Sequence, residues 1–400
     1  VSALMAASTG WSQPLSPTTA QFYNELKSIY SQALSEAKYL RPRRRPRMEI
    51  DEILHLRVQN GGRATGDDMR IDIHSHIIPR HFWHAVSNGD DWFGATLDIE
   101  GDRRFINTRD RKAGPVEANW EVSLEQRVAL MNSIGVDMQV LSTPPYFFNY
   151  HLPLDQSLGA SKELNDEIAD AIRAYPGRFS GLATVPFQDV PTAIAELERT
   201  MGAGLKGAEL CTHVNGVNYD DPALLPFFEA AQDMGAFIFF HPHAPTAIER
   251  TRSYYLANTI GNPLETAITV ASLIFGGVLD RLPDLKLCFA HGGGYACYGI
   301  GRLDRGFQVR DEAKVNDLSQ APSDYLRRLY FDCLTHSYSA LDYLLENVSA
   351  DNVLLGSDFP FDMGFDSPVE WVQRAPNVSQ DDREKILGGN AARLLDLTGK

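Results

Sequence analysis

The run Met69-Arg70-Ile71-Asp72-Ile73-His74-Ser75-His76 carries an alternating apolar pattern into a His-x-His pair. On a strand, side chains alternate between faces, so His74 and His76 point the same way. Two imidazoles side by side at a strand end suit a metal ion. Three other apolar runs also end in groups of this kind. Phe239-Phe240 leads to His241, Phe289-Ala290 to His291, and Leu355-Gly356-Ser357 to Asp358. Three imidazoles and a carboxylate from such a set match a borderline divalent cation, Zn2+ first, with Mn2+ or Fe2+ behind it. A cation with one open position activates water or polarises a substrate oxygen. Asp358 can then hold both metal and water, leaving His291 as general acid or base.

Other candidates have plainer readings. His243, two residues past His241, reads as a loop or supporting residue. His213 and His336 follow strands and are candidates for lining a pocket. His55, His81, His84 and His151 read as surface or lid residues. Gly292-Gly293-Gly294 lacks the Lys and Ser/Thr of a phosphate-binding loop and instead lets the chain turn beside His291. Period two puts Asp72 on the inward face below His74, where it orients its neighbours. Lys206 falls several residues before the end of its strand, so no bridging carboxylated lysine is expected.

These groups need a scaffold that brings strand ends together. Eight candidate strands run over Met69–Ile73, Val136–Ser142, Phe179–Val185, Leu205–Leu210, Ala236–Phe240, Leu285–Ala290, Leu329–Asp332 and Asn352–Gly356. Helical patterns lie between them, at Leu124–Ile134, Ser161–Tyr175, Thr192–Met201, Leu224–Met234 and Glu265–Leu282. Strand–helix alternation over eight units predicts an α/β (β/α)8 barrel, whose active sites lie at the C-terminal strand ends. The rival open sheet is disfavoured because no Gly-x-Gly-x-x-Gly follows a strand. The 79–120 segment, after the first strand, reads as a long irregular and functional loop. Gln380–Leu397 reads as closing helices broken at Gly388-Gly389.

Residues 1–68 read as an extension preceding a barrel domain over 69–400. Thr19–Leu40 has helical spacing, Arg41–Arg47 is a basic linker, and Gly61–Gly66 is a joint. The 400 residues, 44% hydrophobic, suffice for a barrel plus this extension. A net charge of −15 argues against a nucleic-acid partner. No apolar run is long enough to span a membrane, and the first residues lack a secretory pattern. The four cysteines form no Cys-x-x-Cys, which fits free thiols in a reducing, cytoplasmic setting.

The motifs Ile71–Pro79, Gly261-Asn262-Pro263-Leu264-Glu265-Thr266, Phe289–Gly294 and Gly356–Phe361 occur in one order. In this the chain from Met69 onward resembles the amidohydrolase superfamily, and within it the 2-amino-3-carboxymuconate-6-semialdehyde decarboxylase group. The resemblance implies one divalent metal on His74, His76, His241 and Asp358, with His291 as the catalytic histidine; Asp358, which can hold both metal and water, is read as catalytic beside it. Gly301–Phe307 resembles a segment whose first arginine, here Arg302, reaches a substrate carboxylate, sometimes across a dimer interface. A homodimer or higher homo-oligomer follows. The chain departs from the group after Phe105, which lacks its adjacent arginine, and at His243, where the group has tryptophan. Arg103, Arg104 and Arg109 remain as candidate carboxylate partners, and Arg109 is taken with His213 and Phe361 as substrate-binding. The expected activity is metal-dependent, non-oxidative decarboxylation of an aromatic or ring-cleavage carboxylic acid. A hydrolase or hydratase on related acids is the alternative, and a barrel that binds without turnover a distant third.

Overall fold

The computed structural model describes residues 69–109 and 111–397. The helix expected over Thr19–Leu40, the basic run and the joint at Gly61–Gly66 lie outside them.

The described chain opens with β1 (Ile71–His76). Next come α1 (Arg80–Ser87), β2 (Thr96–Glu100), β3 (Arg103–Asn107) and β4 (Lys112–Ala113). Helices and strands then alternate. The order is α2 (Leu124–Ile134), β5 (Met138–Ser142), α3 (Leu154–Ala174), β6 (Phe179–Gly181), α4 (Val190–Gly202) and β7 (Gly207–Cys211). It continues with α5 (Leu225–Asp233), β8 (Phe237–His241), α6 (Asn262–Phe275), β9 (Lys286–Phe289) and α7 (Ala296–Val309). It ends with β10 (Tyr330–Asp332), α8 (Tyr338–Val348), β11 (Val353–Leu354) and short helices at the C-terminal end.

β1, β5 and β6 pair in parallel, as do β7 through β11. Ala183 N–H donates to Gly207 O at 2.8 Å, joining β6 to β7. Ile73 N–H donates to Leu355 O at 2.9 Å, joining β1 to the segment after β11. The eight expected strands therefore close into a (β/α)8 barrel. Its interior holds Ile71, Ile73, Met138, Val140, Phe237, Phe239, Cys288 and Leu354. The other strand face packs against the helices through Leu141, Leu210, Ile238, Phe240, Leu287 and Phe289. Large, tightly packed side chains on both faces fix each strand's register, since a slip by one residue would exchange core and helix faces.

Three expectations change. The 79–120 segment is not irregular: β2, β3 and β4 form an antiparallel sheet. The signal was present, because Thr96–Glu100 and Arg103–Asn107 flank a two-residue Gly101-Asp102 turn, a hairpin pattern, and Gly101 takes a positive φ of 65°. The helix expected over Glu265–Leu282 stops at Phe275, because Gly276-Gly277 ends it and Gly277 is left-handed. Gly388-Gly389 does not break the closing helices; it lies in a wide helical turn, Lys385–Gly389, that presses on the start of the barrel. A Cβ at Gly388 would sit 1.6 Å from Met69 O, so only glycine allows this approach.

Asp72 also departs from its expected place. β1 changes register between Asp72 and Ser75. This bulge lets Ile73 and the following His74 both face the interior. Asp72 instead turns toward the helix layer. There it accepts from Ser357 Oγ at 2.6 Å, Ser357 N–H at 2.9 Å and Gln139 Nε2 at 3.0 Å. It ties β1 to the turn bearing Asp358, an orienting role as expected, but from the outer face.

Candidate active site

β1, β8, β9 and β11 deliver their terminal groups to one corner of the barrel's C-terminal rim. The imidazole rings of His74, His76 and His241 lie 5.1 Å apart pairwise, an equilateral arrangement. Each is pinned through Nδ1. His74 Nδ1 bonds Asp332 Oδ2 at 2.7 Å, His76 Nδ1 bonds Thr143 O at 3.1 Å, and His241 Nδ1 bonds Pro242 O at 3.0 Å. A carbonyl only accepts, so Nδ1 of His76 and of His241 carries the hydrogen and Nε2 keeps its lone pair.

All three Nε2 atoms and Asp358 Oδ1 are buried without a hydrogen-bond partner. Asp358 Oδ1 lies 3.2 Å from both His74 Nε2 and His76 Nε2. Each unsatisfied buried polar group costs about 1–3 kcal/mol. The barrel thus holds a converging set of donor atoms against that cost, and a divalent cation, displacing the proton that the carboxylates favour on His74, satisfies all of them at once. The residues fit a metal.

His291 stands apart from the other three. His74, His241, His291 and Asp358 each offer an atom within 4.8 Å of one another. Yet His291 Nε2 faces the second carboxylate oxygen, Asp358 Oδ2, at 3.5 Å, and its side chain is 20% exposed. His76 is fully buried and shares Asp358 Oδ1 with His74. The geometry therefore groups His76 with the lone-pair cluster and leaves His291 at the mouth.

The protonation pattern follows from burial and charge. Burial, then the neighbouring His291, His74 and His76, hold His241 well below its ordinary pKa. Burial lowers His76 as well. At His74 the same burial is outweighed by the Asp358 and Asp332 carboxylates, which raise it to about 10. Burial would raise Asp358, but His74, His291 and His76 hold it well below the carboxylate range.

The turns around these groups are tight. His291 and Asp358 adopt positive φ of 57° and 60°, conformations that non-glycine residues hold only when their surroundings impose them. Asp332 supplies part of that constraint. Its Oδ2 accepts from His291 N–H at 2.9 Å and its Oδ1 from Gly292 N–H at 2.8 Å. Gly292, Gly293 and Gly294 all take positive φ, the close turn expected beside His291.

Two adjoining clefts meet at His291, Asp358, Asn258, Asn262 and Met363. The larger, about 890 Å³, runs between α7 and α8 and includes Tyr295, Tyr298, His336 and Tyr343. The smaller, about 100 Å³, runs under the 79–120 segment and includes Arg111, Trp120, Tyr146, Tyr255 and Phe361. Phe361 packs on His76 with ring centroids 5.4 Å apart and on Trp120 at 5.1 Å.

Of the expected substrate-binding residues, Phe361 alone lines a cleft. Arg109 is exposed and lines neither. Arg302 is exposed on α7, also away from both. Arg103 lies over Phe105, and Arg104 pairs with Glu121. Both ring nitrogens of His213 are occupied: Gly216 N–H donates to Nδ1 at 3.1 Å, and Nε2 faces Ala244 O at 3.1 Å. It fastens the loop after β7 to the loop after β8. His243 is buried, and burial followed by the Arg111 charge pushes it down to about 3, so it is neutral.

The residues missed from sequence are Arg111, Asp332 and Glu209. Arg111 enters the small cleft, and no ion pair ties it to a carboxylate among the described residues. The nearby β2–β3 hairpin was the available signal, since β4 pairing carries residues 111–113 back over the rim. Asp332 ends an expected strand and could have been counted with the other rim groups. Glu209 lies fully buried on β7, its Oε1 3.9 Å from His76 Nδ1, and burial pushes its carboxyl well above the usual range.

Residues 71–397 match a protein-family model described as amidohydrolase. A 2-amino-3-carboxymuconate-6-semialdehyde decarboxylase of Dictyostelium discoideum is 36% identical, over 82% of this chain and 92% of that one. Among solved structures, 5-carboxyvanillate decarboxylase of Sphingomonas paucimobilis superposes with a TM-score of 0.70 at 27% identity, covering 82% of this chain and 99% of that one. The 5-carboxyvanillate decarboxylase of Novosphingobium aromaticivorans, complexed with manganese and 4-hydroxy-3-methoxy-5-nitrobenzoic acid, gives a TM-score of 0.69 at 21% identity, covering 83% and 97%.

Proposed function

The chain belongs to the amidohydrolase family, and from that premise we propose that it is a metal-dependent, non-oxidative decarboxylase of an aromatic or muconate-type carboxylic acid. The observation that carries this is the cluster of unpartnered Nε2 atoms of His74, His76 and His241 with Asp358 Oδ1, open on one side to His291 and Arg111. Those four residues are the ligands of one divalent ion. Zn2+ suits a set of three imidazoles and a carboxylate, and Mn2+, present in a structural neighbour, is the second choice. Lys206 takes no part: its Nζ reaches Asp396 O at 3.3 Å, away from the C-terminal ends of the strands. Bound there, the ion supplies a Lewis acid that withdraws charge from a substrate oxygen.

The chain's own groups do the rest. Arg111, beside the Tyr255 hydroxyl, presents a planar guanidinium suited to a carboxylate. Trp120, Tyr146 and Phe361 wall the small cleft with aromatic surface that excludes water and stacks on a flat acid. His291 Nε2, at the cleft mouth and braced by Asp332, gives its proton to the carbon that bears the carboxylate. The carbon–carbon bond then breaks, carbon dioxide leaves, and the bonding electron pair returns to the π system that gave up a pair to the new carbon–hydrogen bond. Asp358 Oδ2 faces His291 Nε2 at 3.5 Å.

Residues 1–68 act as an extension outside this chemistry. Arg302, exposed on α7, serves a homodimer or higher oligomer by facing a second copy rather than its own cleft. All four cysteines are free and buried, which suits a reducing, cytoplasmic setting. None of the described helices is long and apolar enough to cross a membrane.

The test is a screen of hydroxybenzoates, carboxyvanillate-type acids and muconate semialdehydes with protein loaded with Zn2+, Mn2+ or Fe2+. Metal-dependent carbon dioxide release, matched by decarboxylated product, is the expected result. Water addition without carbon dioxide would replace the reading with a hydratase or hydrolase.

A further inference from the structure

We infer that a third cleft, which shares a wall with the small one, binds a small oxyanion carrying one hydroxyl, the chemistry of hydrogencarbonate. Its occupation does not depend on the decarboxylase reading. A buried arginine with no carboxylate in contact and the unpartnered polar atoms of the same lining point to it.

This cleft, about 310 Å³, runs from the end of β1 to the start of α2, past Trp83, Asn119, Trp120 and Arg127. Trp120 also lines the small cleft, so its ring is the common wall. Arg127, on α2, is 4% exposed. Its Nε donates to Gln139 Oε1 at 2.7 Å and its Nη1 to His76 O at 2.8 Å, and the Phe359 ring lies 4.7 Å from its guanidinium carbon. Both acceptors are neutral, and Nη2 has no partner. Asp72 is reached only through Gln139, whose Nε2 donates to it at 3.0 Å. A buried cation without a contacting counter-ion is costly.

Three more buried atoms of the lining lack partners: Nε1 of Trp83, Nε1 of Trp120 and Oδ1 of Asn119. An indole only donates. Asn119 Nδ2 donates to Pro360 O at 3.0 Å, which fixes the amide and leaves its oxygen over. The cleft therefore offers three donors, one of them charged, and one acceptor. Water answers such bonds but brings no charge to Arg127. A planar oxyanion brings both, and a hydroxyl on it answers Asn119 Oδ1. The two carboxylates of the lining are already engaged. Glu167 accepts from Arg80 Nε at 3.0 Å and from Arg80 N–H at 2.9 Å, and Glu121 pairs with Arg104. The first turn of α2, capped by Ser123, also borders the cleft, and its positive end favours an anion. If the neighbouring site releases carbon dioxide, hydration in solvent supplies this ion.

The test uses Zn2+-loaded full-length protein, isotopically labelled for NMR, and follows the indole N–H signals as hydrogencarbonate is added. The signals of Trp83 and Trp120 should shift together, with one dissociation constant on the order of 1 mM. Formate, planar but without a hydroxyl, should bind about tenfold more weakly, because Asn119 Oδ1 stays unpaired. Trp83→Phe keeps a ring and removes one N–H, and should weaken hydrogencarbonate about tenfold as read at Trp120. Arg127→Lys should abolish saturation; if that chain does not fold, Trp83→Phe decides. Arg111→Ala, in the small cleft, should leave the constant within about twofold. Absence of a saturable shift would mean that water alone fills the cleft, and would overturn the proposal. A shift at Trp120 without one at Trp83, or a shift lost in Arg111→Ala, would place the ion at the metal or in the small cleft and overturn it equally. Formate binding as tightly as hydrogencarbonate would overturn the hydroxyl-bearing class. The decarboxylase reading stands or falls separately, on carbon dioxide release.

Discussion

The metal corner and the small cleft beside it are built in opposite ways. His74, His76, His241 and Asp358 sit on or just past strand ends, buried, with each imidazole fixed by an acceptor behind it. Arg111, Tyr255 and Phe361 sit on connections between elements, outside the barrel's parallel ladder. A barrel strand end is a rigid platform, whereas a loop can change without disturbing the fold. The difference separates two tasks: the corner fixes the reaction, and the loops choose the acid.

The sharpest way to break this division is at the boundary between the regions. His291→Asn should retain the metal and lose turnover by about a hundredfold or more, the usual scale for a general acid. Elemental analysis alongside steady-state kinetics would check both. Loss of metal together with turnover would place His291 inside the ligand set instead.

Asp332→Asn tests whether the platform needs bracing. It leaves the side-chain shape but removes the charge that His74 Nδ1 and three backbone N–H groups, of His291, Gly292 and Leu334, share. Metal affinity or turnover should fall about ten- to a hundredfold. A metal titration unchanged from the parent protein would show that His74 is held by packing alone.

Arg111→Ala tests the loop side. Losing a charged hydrogen-bond pair to a carboxylate should raise KM about ten- to a hundredfold, with metal content intact. Arg109→Ala, exposed and away from both clefts, should change KM little. The reverse ranking would restore Arg109 as the partner of the acid.

The smallest effect belongs to the extension. A chain starting at Met69 should keep metal content and turnover within about twofold, because the site is built from residues beyond that point. Failure of that chain to fold would make the extension part of the barrel's core or of an interface.

The same contrast explains what the sequence revealed. Strand ends follow from alternation and apolar runs, so all eight barrel strands were readable, together with His74, His76, His241, His291 and Asp358 at four of their tips. Asp72 was placed on the wrong face because a bulge in β1 leaves no trace in residue type: Ile73 and His74 face inward in succession. Asp332 looked like any strand-end acid, since its role depends on a histidine 258 positions away. Arg109 was preferred to Arg111 because two residues in a loop are indistinguishable without the β3–β4 pairing that aims one of them inward. His213 was counted as a pocket residue, yet its ring nitrogens are both engaged in tying loops together. Local pattern finds what a strand fixes, and tertiary pairing decides what a loop presents.

The central claim is a proton delivered by the protein to the carbon that loses carbon dioxide. Running the metal-loaded enzyme in deuterium oxide, with carbon dioxide measured as the product is analysed by NMR, addresses it most directly. The account predicts one molecule of carbon dioxide per turnover and one deuteron on the vacated carbon, both lost in His291→Asn. A product that keeps its carboxylate and gains water would contradict it.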